Sequence, residues 1–89
     1  MIMTKNERIN KINNVLEFYF NTNPNIKIIK AKDLMPLFIK NGIFEKDHRD
    51  GLPIRKLLRE LNNNNELRLI PYAHPERKKK YINWFFISK

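Results

Sequence analysis

The sequence predicts one α+β domain over residues 1–89: three helices, a short strand after the first, and a two-stranded β-hairpin at the C-terminal end. Three observations predict it. Apolar residues recur at spacings of three and four in three separate stretches, the period of a helix with one buried face. Short runs rich in β-branched and aromatic residues, bounded by Pro, Asn and charged clusters, suit strands. A chain of 89 residues with no cysteine must fold by packing alone, so its 42% hydrophobic residues have to supply one core.

Helix 1 is predicted over about residues 4–22. Thr4-Lys5-Asn6-Glu7 fits the S/T-x-x-E capping box, in which hydroxyl and carboxylate each satisfy an orphan backbone N–H. Ile9, Ile12, Leu16 and Tyr19 follow at helical spacing, widened by Val15 and Phe20, while Lys5, Arg8, Lys11, Asn14 and Glu17 fall elsewhere. Asn23-Pro24 ends it.

The run from about residue 26 to 30, Ile-Lys-Ile-Ile-Lys, is short and β-branched and reads as a strand. Helix 2 is predicted over about 33–41, with Asp33 as N-cap, Pro36 in the first turn and Gly42 just past the end. Ile43 to Gly51 is charged, ends in a turn dipeptide and reads as a loop. Helix 3 is predicted over about 53–63: Pro53 opens it, and Ile54, Leu57, Leu58 and Leu61 form its apolar stripe. It stops in the run Asn62 to Asn65, since Asn tolerates left-handed backbone.

The hairpin is predicted over about 66–88, with strands in Glu66 to Tyr72 and Lys80 to Ser88 and a tip in Ala73 to Lys79. In the last strand Tyr81, Asn83, Phe85 and Ile87 point one way and Ile82, Trp84 and Phe86 the other, so both faces carry apolar groups. Either the second face packs under Met1 to Met3 or helix 1, or it forms a surface for a partner or a second copy built on Tyr72, Tyr81 and Trp84.

Eighteen Lys and Arg against nine Asp and Glu give a formal charge of +9, a field that attracts polyanions. Position sharpens the point. Residues 1–26 carry +3 and −2, residues 27–65 carry +9 and −5, and residues 66–89 carry +6 and −2, so the excess lies beyond helix 1. Arg55 and Arg59 lie four residues apart on one face of helix 3 with Lys56 beside them, and Arg77-Lys78-Lys79-Lys80 sits at the hairpin turn.

Other functions lack their residues. No cysteine is present, and His48 and His74 have no partner at metal-ligand spacing, so no metal site is expected. Gly42 and Gly51 are the only glycines, which excludes a GxGxxG or Walker-type phosphate loop. Asp47, His48 and Asp50 are the best candidates for acid–base chemistry, yet nothing supplies a nucleophile or oxyanion donor, so neither an enzyme, a cofactor nor a small-molecule substrate is expected. No run approaches the roughly 18 apolar residues of a membrane span, and residues 1–14 lack the apolar region of a signal peptide, which points to a cytoplasmic protein with no membrane partner.

The order helix, strand, helix, loop, helix, hairpin over residues 4–88 resembles a winged helix-turn-helix, in architecture and not through a motif. The resemblance implies a three-helix domain with a C-terminal β-hairpin wing and a nucleic-acid-binding function, with double-stranded DNA as the partner, as in a small transcription regulator or an accessory protein of a mobile element. Helix 3 would then enter the major groove with Arg55, Lys56 and Arg59, and the wing would set Arg77, Lys78, Lys79 and Lys80 on phosphates. One departure is the link between helices 2 and 3, about ten residues against the usual 3–4-residue turn.

Two alternatives stay open. The same scaffold can dock a protein or dimerise through its aromatic hairpin, with the basic residues serving solubility. Single strands could instead stack on Tyr72, Tyr81 and Trp84, which requires those rings to be exposed.

Overall fold

Helix α1 spans Lys5–Thr22 in the computed structural model, which describes residues 3–47 and 51–88. Thr4 caps it, its hydroxyl accepting the Glu7 N–H at 3.1 Å. Ile9, Ile12, Leu16 and Phe20 are buried. Phe20 takes the core position expected for Tyr19, which flanks it half-buried and edge-on at 5.6 Å. At the other end the backbone N–H and the side-chain amide of Asn23 both donate to the Tyr19 carbonyl at 2.9 Å, closing the helix before Pro24.

Strand β1, Ile28–Lys30, leads straight into a 3₁₀ turn, Ala31–Leu34, and then helix α2, Met35–Lys40. Asp33 is therefore not the N-cap that the sequence predicts. The chain starts to coil two residues earlier, where Ala31 is drawn fully into the core, and Leu34 precedes α2 without a side-chain capping bond. Pro36 sits in the first turn as expected. The C-terminus closes with Gly42 at φ +74°, the Gly42 N–H donating to Ile39 and the Ile43 N–H to Phe38, and Ile43 and Phe38 are both buried in the core.

The link to the third helix thus contributes to the core instead of being wholly polar. Phe44 follows, edge-on to Phe38 at 6.3 Å, with the Arg8 guanidinium over its ring at 5.3 Å. Helix α3, Leu52–Asn63, begins after Gly51 at φ +83°, whose N–H donates to both Asp47 carboxylate oxygens at 2.9 Å. Ile54, Leu57, Leu58 and Leu61 are buried as predicted. Asn65 at φ +58° ends the helix, and the Glu66 N–H donates to the Leu61 carbonyl at 2.7 Å.

The hairpin differs from its expected register. Leu67–Leu69 is a 3₁₀ turn, and strand β2 is Ala73–Arg77, the segment expected to be the tip. It pairs antiparallel with β3, Ile82–Ile87, from Ala73↔Phe86 to Arg77↔Ile82. Pro75 makes this possible through its place. Bonds from Ile87 N–H to Tyr72 and from Lys78 N–H to Tyr81, both 2.8 Å, fix the alternation, and Pro75↔Trp84 falls between the bonded pairs on an edge strand. The true tip is Lys79-Lys80. The sheet has three strands in the order β1-β3-β2, because β1 pairs antiparallel with β3 from Ile28↔Ile87 to Lys30↔Phe85.

All buried side chains form one cluster, with Phe38 edge-on to Phe86 at 6.0 Å near its middle. Trp84 and Phe86 are the buried residues of β3, in the same cluster as α1. The opposite face is partly open: Tyr81 is largely exposed, and Ile28, beside Ile87, is 53% exposed, while Asn83, Phe85 and Ile87 are half-buried. Of the cover expected from Met1 to Met3 or helix 1, Met1 and Ile2 lie outside the described residues.

Candidate nucleic-acid interface

On α3, the residues next to the buried stripe form a second line. Arg55, Arg59 and Asn63, each four residues apart, follow one another along a single flank of the helix. That flank faces the hairpin across a groove of about 850 Å³. The groove exists because β1 is short. Its ladder with β3 stops at Lys30↔Phe85 and the chain turns away at Ala31, so Ile82–Trp84 has no strand neighbour on that side.

Five cations line the space: Arg55 and Arg59 from α3, Lys30 from the end of β1, Lys32 from the 3₁₀ turn and Lys80 from the hairpin tip. Among the described residues that line it there is no carboxylate. Like charges gathered around one concavity raise the positive potential there.

Four described carboxylates are engaged outside the groove, while Asp33 lines an adjoining depression with Lys30 and Lys32. Glu60, the neighbour of Arg59 in sequence, points toward α1 and meets Lys5 at 3.3 Å, while Lys5 also reaches Glu66 at 3.5 Å. The Glu60 hydrogen bond, with the field of both carboxylates, holds the Lys5 ammonium above its ordinary range. Glu76 pairs with Lys78 at 2.8 Å. That hydrogen bond lowers the Glu76 carboxyl and raises the Lys78 ammonium. Asp47 is engaged by the Gly51 N–H. The ion pairs among these are solvent-exposed and screened by salt, so their effect is on where charge lies more than on stability.

Of the seven residues that the sequence singles out, Arg55, Arg59 and Lys80 come together in the groove. Lys56 lies off it, beside Phe44, Glu45 and Pro53 in a separate shallow depression. Arg77 turns toward α3 and donates to the Asn62 side-chain oxygen at 3.4 Å, Lys78 is taken by Glu76, and Lys79 is exposed at the tip. Lys30, Lys32 and Asn63 are additions that sequence reasoning missed. Lys27, Lys30 and Lys32 fall within six residues, which was the available signal, but only the β1–β3 pairing brings two elements of that stretch beside α3.

The three rings considered for stacking are differently placed. Trp84 is 5% exposed, Tyr72 stacks on Phe20 at 5.7 Å, and Tyr81 is 59% exposed. His48, Arg49 and Asp50 lie outside the described residues; among those described, no group of three His, Cys, Asp or Glu could hold a metal ion. No described helix is long and apolar enough to cross a membrane. No protein-family model, curated protein or solved structure matches this chain, so the reading of the groove rests on its own residues.

Proposed function

We propose that this chain is a non-catalytic nucleic-acid-binding module, with duplex DNA as its partner, and that the groove between α3 and the hairpin is its contact surface. One observation carries the reading: five cations from β1, the 3₁₀ turn after it, α3 and the hairpin tip converge on one groove whose described lining holds no carboxylate. Solvated surface lysines have no reason to converge in this way, whereas a polyanion that displaces counterions needs them together.

The element order, with a sheet of order β1-β3-β2, supports reading the domain as a winged helix-turn-helix whose hairpin is the wing. In that reading α3 lies against the duplex, Arg59 and Arg55 face the nucleic acid, and Lys80 reaches a flanking phosphate. The link Asn41 to Gly51 is longer than a helix-turn-helix turn, but Ile43, Phe44 and the Asp47–Gly51 bond fasten it to the body of the domain.

The test is a fluorescence-anisotropy titration against a random-sequence duplex at several salt concentrations, with sedimentation of the free protein alongside. Five displaced counterions correspond to a slope of log affinity on log salt of about −4.5. Absence of binding at low salt, together with concentration-dependent self-association, would overturn the reading in favour of a protein-docking hairpin.

A further inference from the structure

The lining of the groove also determines which part of a nucleic acid fits it. Resting on the nucleic-acid reading above, we infer that the groove grips the sugar–phosphate backbone and offers no stacking platform, so that the chain selects duplex over single strands and does so without regard to sequence. Proteins that hold single strands rely on aromatic faces on which successive bases lie, each worth about 1–3 kcal/mol. Three rings line this groove, Tyr81, Trp84 and Phe85, and two of them are largely withdrawn from solvent. The Trp84 ring is in the core, Tyr72 lies on Phe20, and Phe85 is half-buried with Lys30 as its cross-strand partner. Among the rings that line the groove Tyr81 is the exposed one, too little for a track of stacked bases.

What remains is charge, and it is arranged on two walls. Arg55 and Arg59 stand one helical turn apart, about 6 Å along α3, on one side. Lys30 and Lys32 at one end, and Lys80 from the hairpin tip, complete the ring. A backbone lying between such walls is contacted from both sides, which turns the α3 arginines toward phosphates rather than base edges. A duplex carries one charge per ~1.7 Å of axis against ~3.4 Å for each strand, so contact with phosphates alone favours the duplex.

Lys30 and Lys32 are part of this contact, and both are exposed, so they can be removed without opening the core. The Lys32 Cβ packs against Gly51, and alanine keeps that atom.

The experiment compares a random duplex, a second duplex of unrelated sequence and a single strand of equal length, by anisotropy over a salt series, for the full chain and three variants. Thermal unfolding of each variant confirms that it is folded. Expected results are duplex binding about tenfold or more tighter than single-strand binding, and a slope in Lys30→Ala/Lys32→Ala that falls from about −4.5 to about −2.7. Arg59→Ala weakens both duplexes by the same factor, and Tyr81→Ala leaves the duplex-to-single-strand ratio within about twofold. Single-strand binding as tight as duplex binding, an Arg59→Ala loss confined to one sequence, or an unchanged slope in the lysine variant overturns the inference while leaving nucleic-acid binding in place. No salt-dependent binding to any probe overturns the underlying reading as well.

Discussion

Replacing Gly51 with alanine tests the packing that sets the groove, and Gly42 supplies an internal control. Both glycines have left-handed backbone, φ +83° and +74°, where a side chain costs about 1–2 kcal/mol. Their surroundings differ. A Cβ on Gly42 would meet nothing within 4 Å, whereas one on Gly51 would fall 2.4 Å from the Lys32 Cβ and 2.6 Å from its Cα. The second of these is backbone, so the clash cannot be relieved by rotating a side chain. Forcing extra atoms into a packed contact costs about 1–3 kcal/mol more. Gly42→Ala should therefore destabilise by about 1–2 kcal/mol, and Gly51→Ala by about 2–5 kcal/mol. For a chain of this size each kcal/mol lowers Tm by roughly 4–8 °C. Parallel urea and thermal unfolding followed by circular dichroism would measure the difference. Equal losses for the two variants would refute the close approach of Gly51, the residue before α3, to the 3₁₀ turn, and with it the placement of Lys32 beside α3.

Other perturbations follow from single residues. Leu58→Ala removes a fully buried side chain from the face by which α3 is anchored and should cost about 2–5 kcal/mol in urea unfolding, with a cost under about 1 kcal/mol contradicting its core position. Glu76→Gln should release Lys78 for phosphate contact and steepen the salt slope of duplex binding by about one, whereas unchanged binding would place Lys78 outside the interface. Because Lys78 depresses the Glu76 carboxyl below its ordinary 4.5, the pair steadies the hairpin above that pH and is lost as pH falls further. Amide shifts of the hairpin turn during an acid titration at low salt should report that loss, and high salt should blunt it.

The helices were legible because their signals are local. Thr4 and Glu7 mark one start, Pro53 another, and the leucine spacing of α3 fixes its buried face from sequence alone. The failures are non-local. Ala73–Arg77 reads as a turn because of Pro75 and its charges, and becomes a strand only because β3 offers an edge where the missing proline N–H falls between bonded pairs. Asp33 has the chemistry of an N-cap but lies inside a turn that begins where Ala31 is pulled into the core. Ile43 sits in a charged loop and is buried by the closure of α2, which spacing along the chain does not reveal. The groove was half legible for the same reason. Arg55 and Arg59 share a flank by helical period, while Lys30 and Lys32 reach them only through strand pairing.

The central claim is one of location: a duplex sits between α3 and the hairpin. A heteronuclear NMR titration of the ¹⁵N-labelled chain with a short random duplex at low salt tests it most directly. The account expects the largest amide shifts at Lys30–Lys32, along Arg55 to Asn63 and at Lys79 to Phe85, and small ones on the outer side of α1 around Asn10, Asn14 and Glu17. Shifts centred on α1 or on the exposed Ile28–Ile87 face, with the groove unmoved, would contradict it.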